Sequence, residues 1–216
     1  VIEASEIVMN FSELEFEVCH FTELTVPFTY ETFLGFNEEV TFSIDDAPVG
    51  LNVSFAPSTA TANGTTVNLF FDDSENVPQG SYPITITAAS ASVTKNITAT
   101  LNIYDNTFSD VVLLEPADGL EGISTGTPLL WEESSSYTSY EVEIATDSSF
   151  SSIVETATVA MNSYTPTGLG NETTYFWRVK PLNICGAGNF NASFTFSTLA
   201  LDCDNKKATD LPMSIS

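Results

Sequence analysis

Ile97-Thr98-Ala99-Thr100-Leu101-Asn102-Ile103 decides how this chain folds. Apolar side chains fill the odd positions and polar ones the even positions, the period of a strand with one face buried. The pattern recurs upstream. Leu14, Phe16 and Val18 alternate with Glu13, Glu15 and Glu17, and Val40, Phe42 and Ile44 with Thr41 and Ser43. Val67, Leu69 and Phe71 behave likewise, as do Ile84 and Ile86. Turn signals separate these runs: Ala47-Pro48-Val49-Gly50, Asn63-Gly64 and Pro78-Gln79-Gly80. Downstream, Leu129-Leu130-Trp131, Tyr140 to Ile144, Ile153 to Val159, Ser163 to Pro166, Tyr175 to Val179 and Phe194 to Phe196 read as further strands. No stretch holds a 3.6-residue period with caps. Short strands at regular turn spacing predict an all-β protein built of antiparallel sandwiches.

At 216 residues the chain holds one large or two small domains. The polar stretch Asp105-Asn106-Thr107 and Glu115-Pro116 place the boundary. The expected organisation is a sandwich over 1–104, a short linker over 105–110, a second sandwich over 111–199 and a tail over 200–216. The linker is not rich in Gly and Ser, which implies a restricted domain angle. With 29 acidic against 5 basic side chains, the net charge is −24. That charge excludes nucleic acid as a partner, because phosphate contacts need Lys and Arg. It also opposes docking on anionic lipid. No apolar run approaches the roughly 18 residues of a membrane helix, so no membrane insertion is expected. The acidic excess is spread along the chain and reads as solubility through self-repulsion. Val1 in place of Met, and an end at Ser216 with no stop-like feature, read as a segment cut from a longer protein.

The chemistry-bearing residues are few. His20 is the single histidine, and its neighbour Cys19 points to the opposite face of a strand, so no nucleophile–base pair forms between them. The adjacent carboxylates Glu38-Glu39, Asp45-Asp46 and Glu132-Glu133 diverge, whereas glycoside hydrolysis needs two facing each other across a cleft. One histidine and three cysteines without a CxxC pair do not assemble a zinc site. Asp72, Asp73 and Glu75, in a loop after a strand, are the best calcium candidates, set against a solvated acidic turn. Six Asn-x-Ser/Thr triplets exceed the about four expected by chance too little to mark sites. The expectation is no catalytic residue and no cofactor.

Residues 111–199 resemble a fibronectin type III domain. The resemblance rests on Pro116, Trp131, Tyr140, and Leu169 six residues before Tyr175, with Trp177, Val179 and Gly186 continuing the sixth strand. It implies structural roles for Trp131, Tyr140, Leu169 and Tyr175, the last as a tyrosine corner whose phenol bonds to nearby backbone. Trp177 is in phase with Tyr175 and is expected in the core. Phe176, Arg178 and Phe190 are the surface candidates, joined by no aromatic stripe. Residues 10–104 resemble a seven-stranded, immunoglobulin-type module of the bacterial extracellular kind, on Gly80-Ser81-Tyr82-Pro83-Ile84-Thr85-Ile86-Thr87-Ala88 and Val49-Gly50-Leu51-Asn52-Val53-Ser54-Phe55. Ala208-Thr209-Asp210-Leu211-Pro212-Met213-Ser214-Ile215 resembles the opening of a proprotein-convertase-like P domain.

This order is similar to the C-terminal regions of secreted bacterial zinc metalloproteases of the reprolysin type. The HExxHxxGxxH motif of their catalytic domain is missing here. The resemblance implies a non-catalytic, secreted or cell-surface accessory segment that spaces the parent's other domains. Its partners are the rest of the parent chain and an extracellular protein or polysaccharide. An adhesion or carbohydrate-binding module is the alternative. In these sandwich families the loops holding Cys19 and Cys185 meet at the domain junction, which implies an interdomain Cys19–Cys185 disulfide. A Cys185–Cys203 bond and three free thiols stay open as alternatives, and a disulfide implies an oxidising compartment.

Overall fold

The computed structural model describes residues 6–190 and 192–200. The expected P-like opening at 208–215 and Cys203 lie outside them. The described residues form eighteen strands and one short 3-10 turn, Ser74–Asn76. The chain divides into two compact units. Unit 1 comprises Val1–Ser109 with Ser134–Ser139 and Pro181–Asn189, and unit 2 comprises Asp110–Glu133, Tyr140–Lys180 and Phe190–Ser216.

Unit 1 is a sandwich of two sheets. One has the order β1 (Ile7–Phe11), β3 (Leu24–Thr32), β7 (Thr65–Asp72), β5 (Asn52–Ala56). The other has the order β2 (Glu15–Cys19), β9 (Thr94–Tyr104), β8 (Gly80–Ala89), β4 (Val40–Asp45), β6 (Thr59–Ala60). The alternation read in β9 is realised. Ala99, Leu101 and Ile103 are buried, and in the antiparallel register they lie beside Ile84, Tyr82 and Gly80 of β8. Val67, Leu69 and Phe71 of β7 face them from the opposite sheet, all fully buried. Phe42 of β4 joins the two sheets, meeting Phe28 edge-on at 5.3 Å and Tyr30 at 5.7 Å between ring centroids. Each such buried aromatic or aliphatic side chain contributes about 1.5–3 kcal/mol.

Seven strands are expected over 10–104, and nine segments are found between Ile7 and Tyr104. One extra segment arises because β5 and β6, separated by Pro57 and Ser58, belong to opposite sheets. The other arises because the first strand is split. β1 pairs antiparallel with β3, whereas β2, three residues on, pairs parallel with β9. The cause is a change of parity. Ile7 and Met9 point inward from odd positions, Phe16 and Val18 from even ones. In one straight strand this shift would turn the second set to solvent. Crossing to the facing sheet reverses which side is inward, so both sets reach the same core.

Unit 2 is built on β10 (Leu113–Glu115), β12 (Leu129–Trp131) and β15 (Ser163–Tyr164) in one sheet. The other sheet has the order β11 (Leu120–Ile123), β18 (Phe194–Thr198), β16 (Thr174–Asn183), β13 (Ser139–Ala145), β14 (Ile153–Val159). The last three residues of β16 belong to unit 1, where Leu182 and Asn183 pair with β17 (Gly186–Ala187). Trp131 and Trp177 are fully buried, and Tyr140, Val142, Ile144, Tyr175, Val179 and Phe196 are buried in the same unit. Trp131 meets Tyr140 edge-on at 5.4 Å. Two β-sheets packed on a shared apolar layer make each unit a β-sandwich.

Candidate functional site

Cys19 closes β2 and is joined by a disulfide to Cys185, with Cα atoms 5.5 Å apart. Both residues belong to unit 1, because Pro181–Asn189 packs with it. Asn183, nine-tenths buried, organises this region. Its amide donates to the carbonyls of Asp105 at 3.1 Å and Ser136 at 3.2 Å, and its side-chain oxygen accepts from the Cys185 N–H at 2.8 Å. Three separate pieces of chain thus meet at one amide side chain. Composition and spacing carried no signal for Asn183, since its partners are all main-chain groups brought together only by folding.

His20 follows the disulfide and is occupied structurally. Its Nε2 lies 2.9 Å from the Val77 carbonyl and its Nδ1 4.0 Å from the Asp105 carboxylate. Asp105 is held below the ordinary carboxylate range, chiefly by the Thr107 N–H and the Thr107 side chain and further by His20. Both ring nitrogens thus face groups of the surrounding turns, which anchors the histidine beside the disulfide.

The calcium candidates Asp72, Asp73 and Glu75 lie at the end of β7 and in the turn that follows it. Among the described residues no three acidic, His or Cys side chains are grouped as metal ligands. Asp73 adopts a left-handed conformation (φ 59°) and starts the Ser74–Asn76 turn. Buried Ser74 donates its hydroxyl to the Cys19 carbonyl at 3.0 Å. That bond turns the loop inward at Ser74 and leaves Asp73 and Glu75 exposed on either side of it.

In unit 2, Trp131 and Tyr140 lie in the core, Leu169 is half-buried, and the Tyr175 hydroxyl accepts the Gly170 N–H at 2.8 Å. Arg178 donates twice to Glu143, at 2.6 and 2.8 Å, and Lys180 lies 3.0 Å from Glu141. The structure also assembles an aromatic arrangement that alternation alone did not reveal. The Arg178 guanidinium is sandwiched between Phe150, 3.8 Å from the ring centroid, and Phe190, at 4.2 Å. The two rings lie forty residues apart in sequence and in loops, where no strand period could align them with Arg178. A second polar cluster escaped the sequence: Glu155 accepts from the Tyr164 hydroxyl at 2.5 Å, the Thr167 N–H at 3.1 Å and the Gly168 N–H at 3.3 Å.

No protein-family model and no curated protein sequence matches the chain. Among solved structures it is similar to domains A168–A170 of titin, at 15% identity over 90% of this chain and 66% of that one, with a TM-score of 0.46. It is also similar to the FN1–FN3 domains of chicken CNTN1, at 15% identity over 88% and 65%, with a TM-score of 0.43. A third likeness is to domains 4 and 5 of the S-layer protein SbsC, at 18% identity over 44% and 50%, with a TM-score of 0.33. The chain spans just under two thirds of the titin and CNTN1 chains it matches. At these scores the fold assignment rests on the strand order and core of each unit.

Proposed function

We propose that these residues form a non-catalytic accessory segment of a secreted or cell-surface protein. The observation that carries this reading is the Cys19–Cys185 disulfide, because such bonds persist in oxidising compartments. The engagement of His20 by the Val77 carbonyl and Asp105 supports a structural rather than catalytic role for the one histidine. The parent is proposed to be a metalloprotease of the reprolysin type, which this segment would space from its C-terminal region. An open aromatic platform for sugar stacking finds no support at the outer face of β16, where Arg178 covers both Phe150 and Phe190.

Non-reducing peptide mapping of the protein isolated from its natural source tests the compartment. A linked Cys19–Cys185 peptide is expected, and alkylation of all three thiols without reductant would overturn the reading. Sequencing the reading frame around the segment tests the parent. An upstream HExxHxxGxxH motif is expected, and its absence removes the protease assignment.

A further inference from the structure

One face of unit 1 is left with open backbone. Among the described residues β2 is the outermost strand of its sheet and pairs only with β9. The Thr100 N–H bonds the Leu14 carbonyl and the His20 N–H bonds the Tyr104 carbonyl, which fixes the phase of the ladder. Even-numbered residues of β2 therefore turn their N–H and C=O groups to β9, and those of Glu15 and Glu17 point away from the sheet. The strand across from this edge is open as well. β1 pairs with β3 only from Phe28 onward. The bond from the Phe33 N–H to the Glu6 carbonyl shows that odd-numbered residues of β3 face β1. Thr25 thus turns its N–H and C=O outward beyond the end of β1, with no backbone partner among the described residues.

Between these edges lies a groove of about 530 Å³, lined by Glu13, Glu15 and Glu17 on one side, Leu24 and Pro27 on the other, and Ile184. The first 94 residues contain no Lys or Arg, so nothing in them neutralises the three carboxylates. Glu15 and Glu17 stand on the exposed side of β2, with one oxygen of each accepting from Asn102 and from the Tyr104 hydroxyl across the ladder. A second copy of this chain, at net charge −24, would be repelled from the groove. A cationic strand would be drawn to it.

We propose that the outer edge of β2 takes an extended basic segment of a partner protein as an added strand. Its backbone would pair with Glu15 and Glu17. Lysine or arginine at every second position would lie beside the glutamates, whose spacing of about 7 Å is that of alternate residues in any strand. The partner is defined by this chemistry: extended, basic at alternate positions and free of proline where it pairs. The inference stands on unit 1 alone and is independent of the proposed protease parent.

The probe is a synthetic peptide in which lysine alternates with valine and threonine, titrated into the full 216-residue chain. Saturable binding is expected, weakening at least about tenfold as salt rises from about 0.05 to about 0.5 M. On binding, amide exchange should slow at Glu15 and Glu17 and stay unchanged at Phe16 and Val18, which already bond β9. The double variant E15Q/E17Q, altered only at exposed carboxylates, should bind at least about fivefold more weakly. Methylating alternate backbone nitrogens of the peptide should abolish binding in one register and spare it in the other. Absence of binding overturns the proposal. So does binding with unchanged exchange at Glu15 and Glu17, or binding indifferent to the methylated register, since either outcome reduces the groove to diffuse charge attraction.

Discussion

Tyr175 and Tyr30 are both buried, yet their hydroxyls are in opposite situations. That of Tyr175 accepts the Gly170 N–H, whereas that of Tyr30 has no partner among the described residues. Replacing Tyr175 with Phe should destabilise unit 2 by about 1 kcal/mol in urea unfolding, because the Gly170 N–H loses its acceptor. Replacing Tyr30 with Phe removes only an unsatisfied group, so stability should stay level or rise by up to about 1 kcal/mol. A loss of that size at Tyr30 would point to a partner such as an ordered water. Glu155 gives a pH-dependent case. Burial pushes its carboxyl up, but the Tyr164 hydroxyl and the Thr167 and Gly168 N–H groups outweigh that and hold it below its ordinary 4.5. A lowered carboxyl stabilises the fold above its unfolded value, and the contribution fades as pH falls through the folded value. Glu155→Gln should therefore cost about 1 kcal/mol at neutral pH, and the gap from the parent protein should narrow between pH 4.5 and more acid conditions. The partner, Tyr164, is pushed up to about 12 by burial and by its bond to Glu155, so its contribution is complete below pH 10 and is lost as pH rises from there through about 12.

At the scale of elements, strands were legible wherever alternation was unbroken, as in β7, β8, β9 and β16. The split of the first strand was written in the sequence as the change from odd to even apolar positions between Met9 and Phe16. Reading it required knowing that a facing sheet was available to receive the second half. The turn at Pro48 to Leu51 was also legible, but its demand on Gly50 was not. Gly50 has φ 105°, and a Cβ there would lie 2.8 Å from the carbonyl oxygen of Asn76, a residue distant in sequence. Gly64, with φ 78°, has nothing within 4 Å of the same position. Gly64→Ala should cost about 1 kcal/mol from backbone conformation alone. Gly50→Ala should cost more than that, because a close approach to backbone adds to the conformation. Equal melting temperatures for the two variants would refute the steric part of this account.

For the whole molecule, the disulfide and the net charge set the terms. Cys19 and Cys185 are separated by 166 positions. Replacing both with Ser should lower the stability of unit 1 by about 2–5 kcal/mol, mainly by freeing the unfolded chain. Trp131 and Trp177 both belong to unit 2. Their fluorescence therefore follows that unit, while circular dichroism follows both, and the double cysteine variant should melt earlier by dichroism than by fluorescence. The charge of −24 predicts a second effect. Screening the self-repulsion with about 0.15 M salt should raise the melting temperature above that at low salt.

The sequence by itself determined the strand period, the apolar faces and the charge, because each depends on neighbours two residues apart or on composition. It therefore yielded an all-β protein with Trp131, Tyr140 and Tyr175 in a core. Only the tertiary structure decided which distant groups meet. Asn183 finds the carbonyls of Asp105 and Ser136, Phe150 and Phe190 close on Arg178, and Ser74 draws its loop inward between the carboxylates of Asp73 and Glu75. The open edges of β2 and β3 belong to the same class. An unpaired N–H is a property of where the next strand stops, and no local pattern records that.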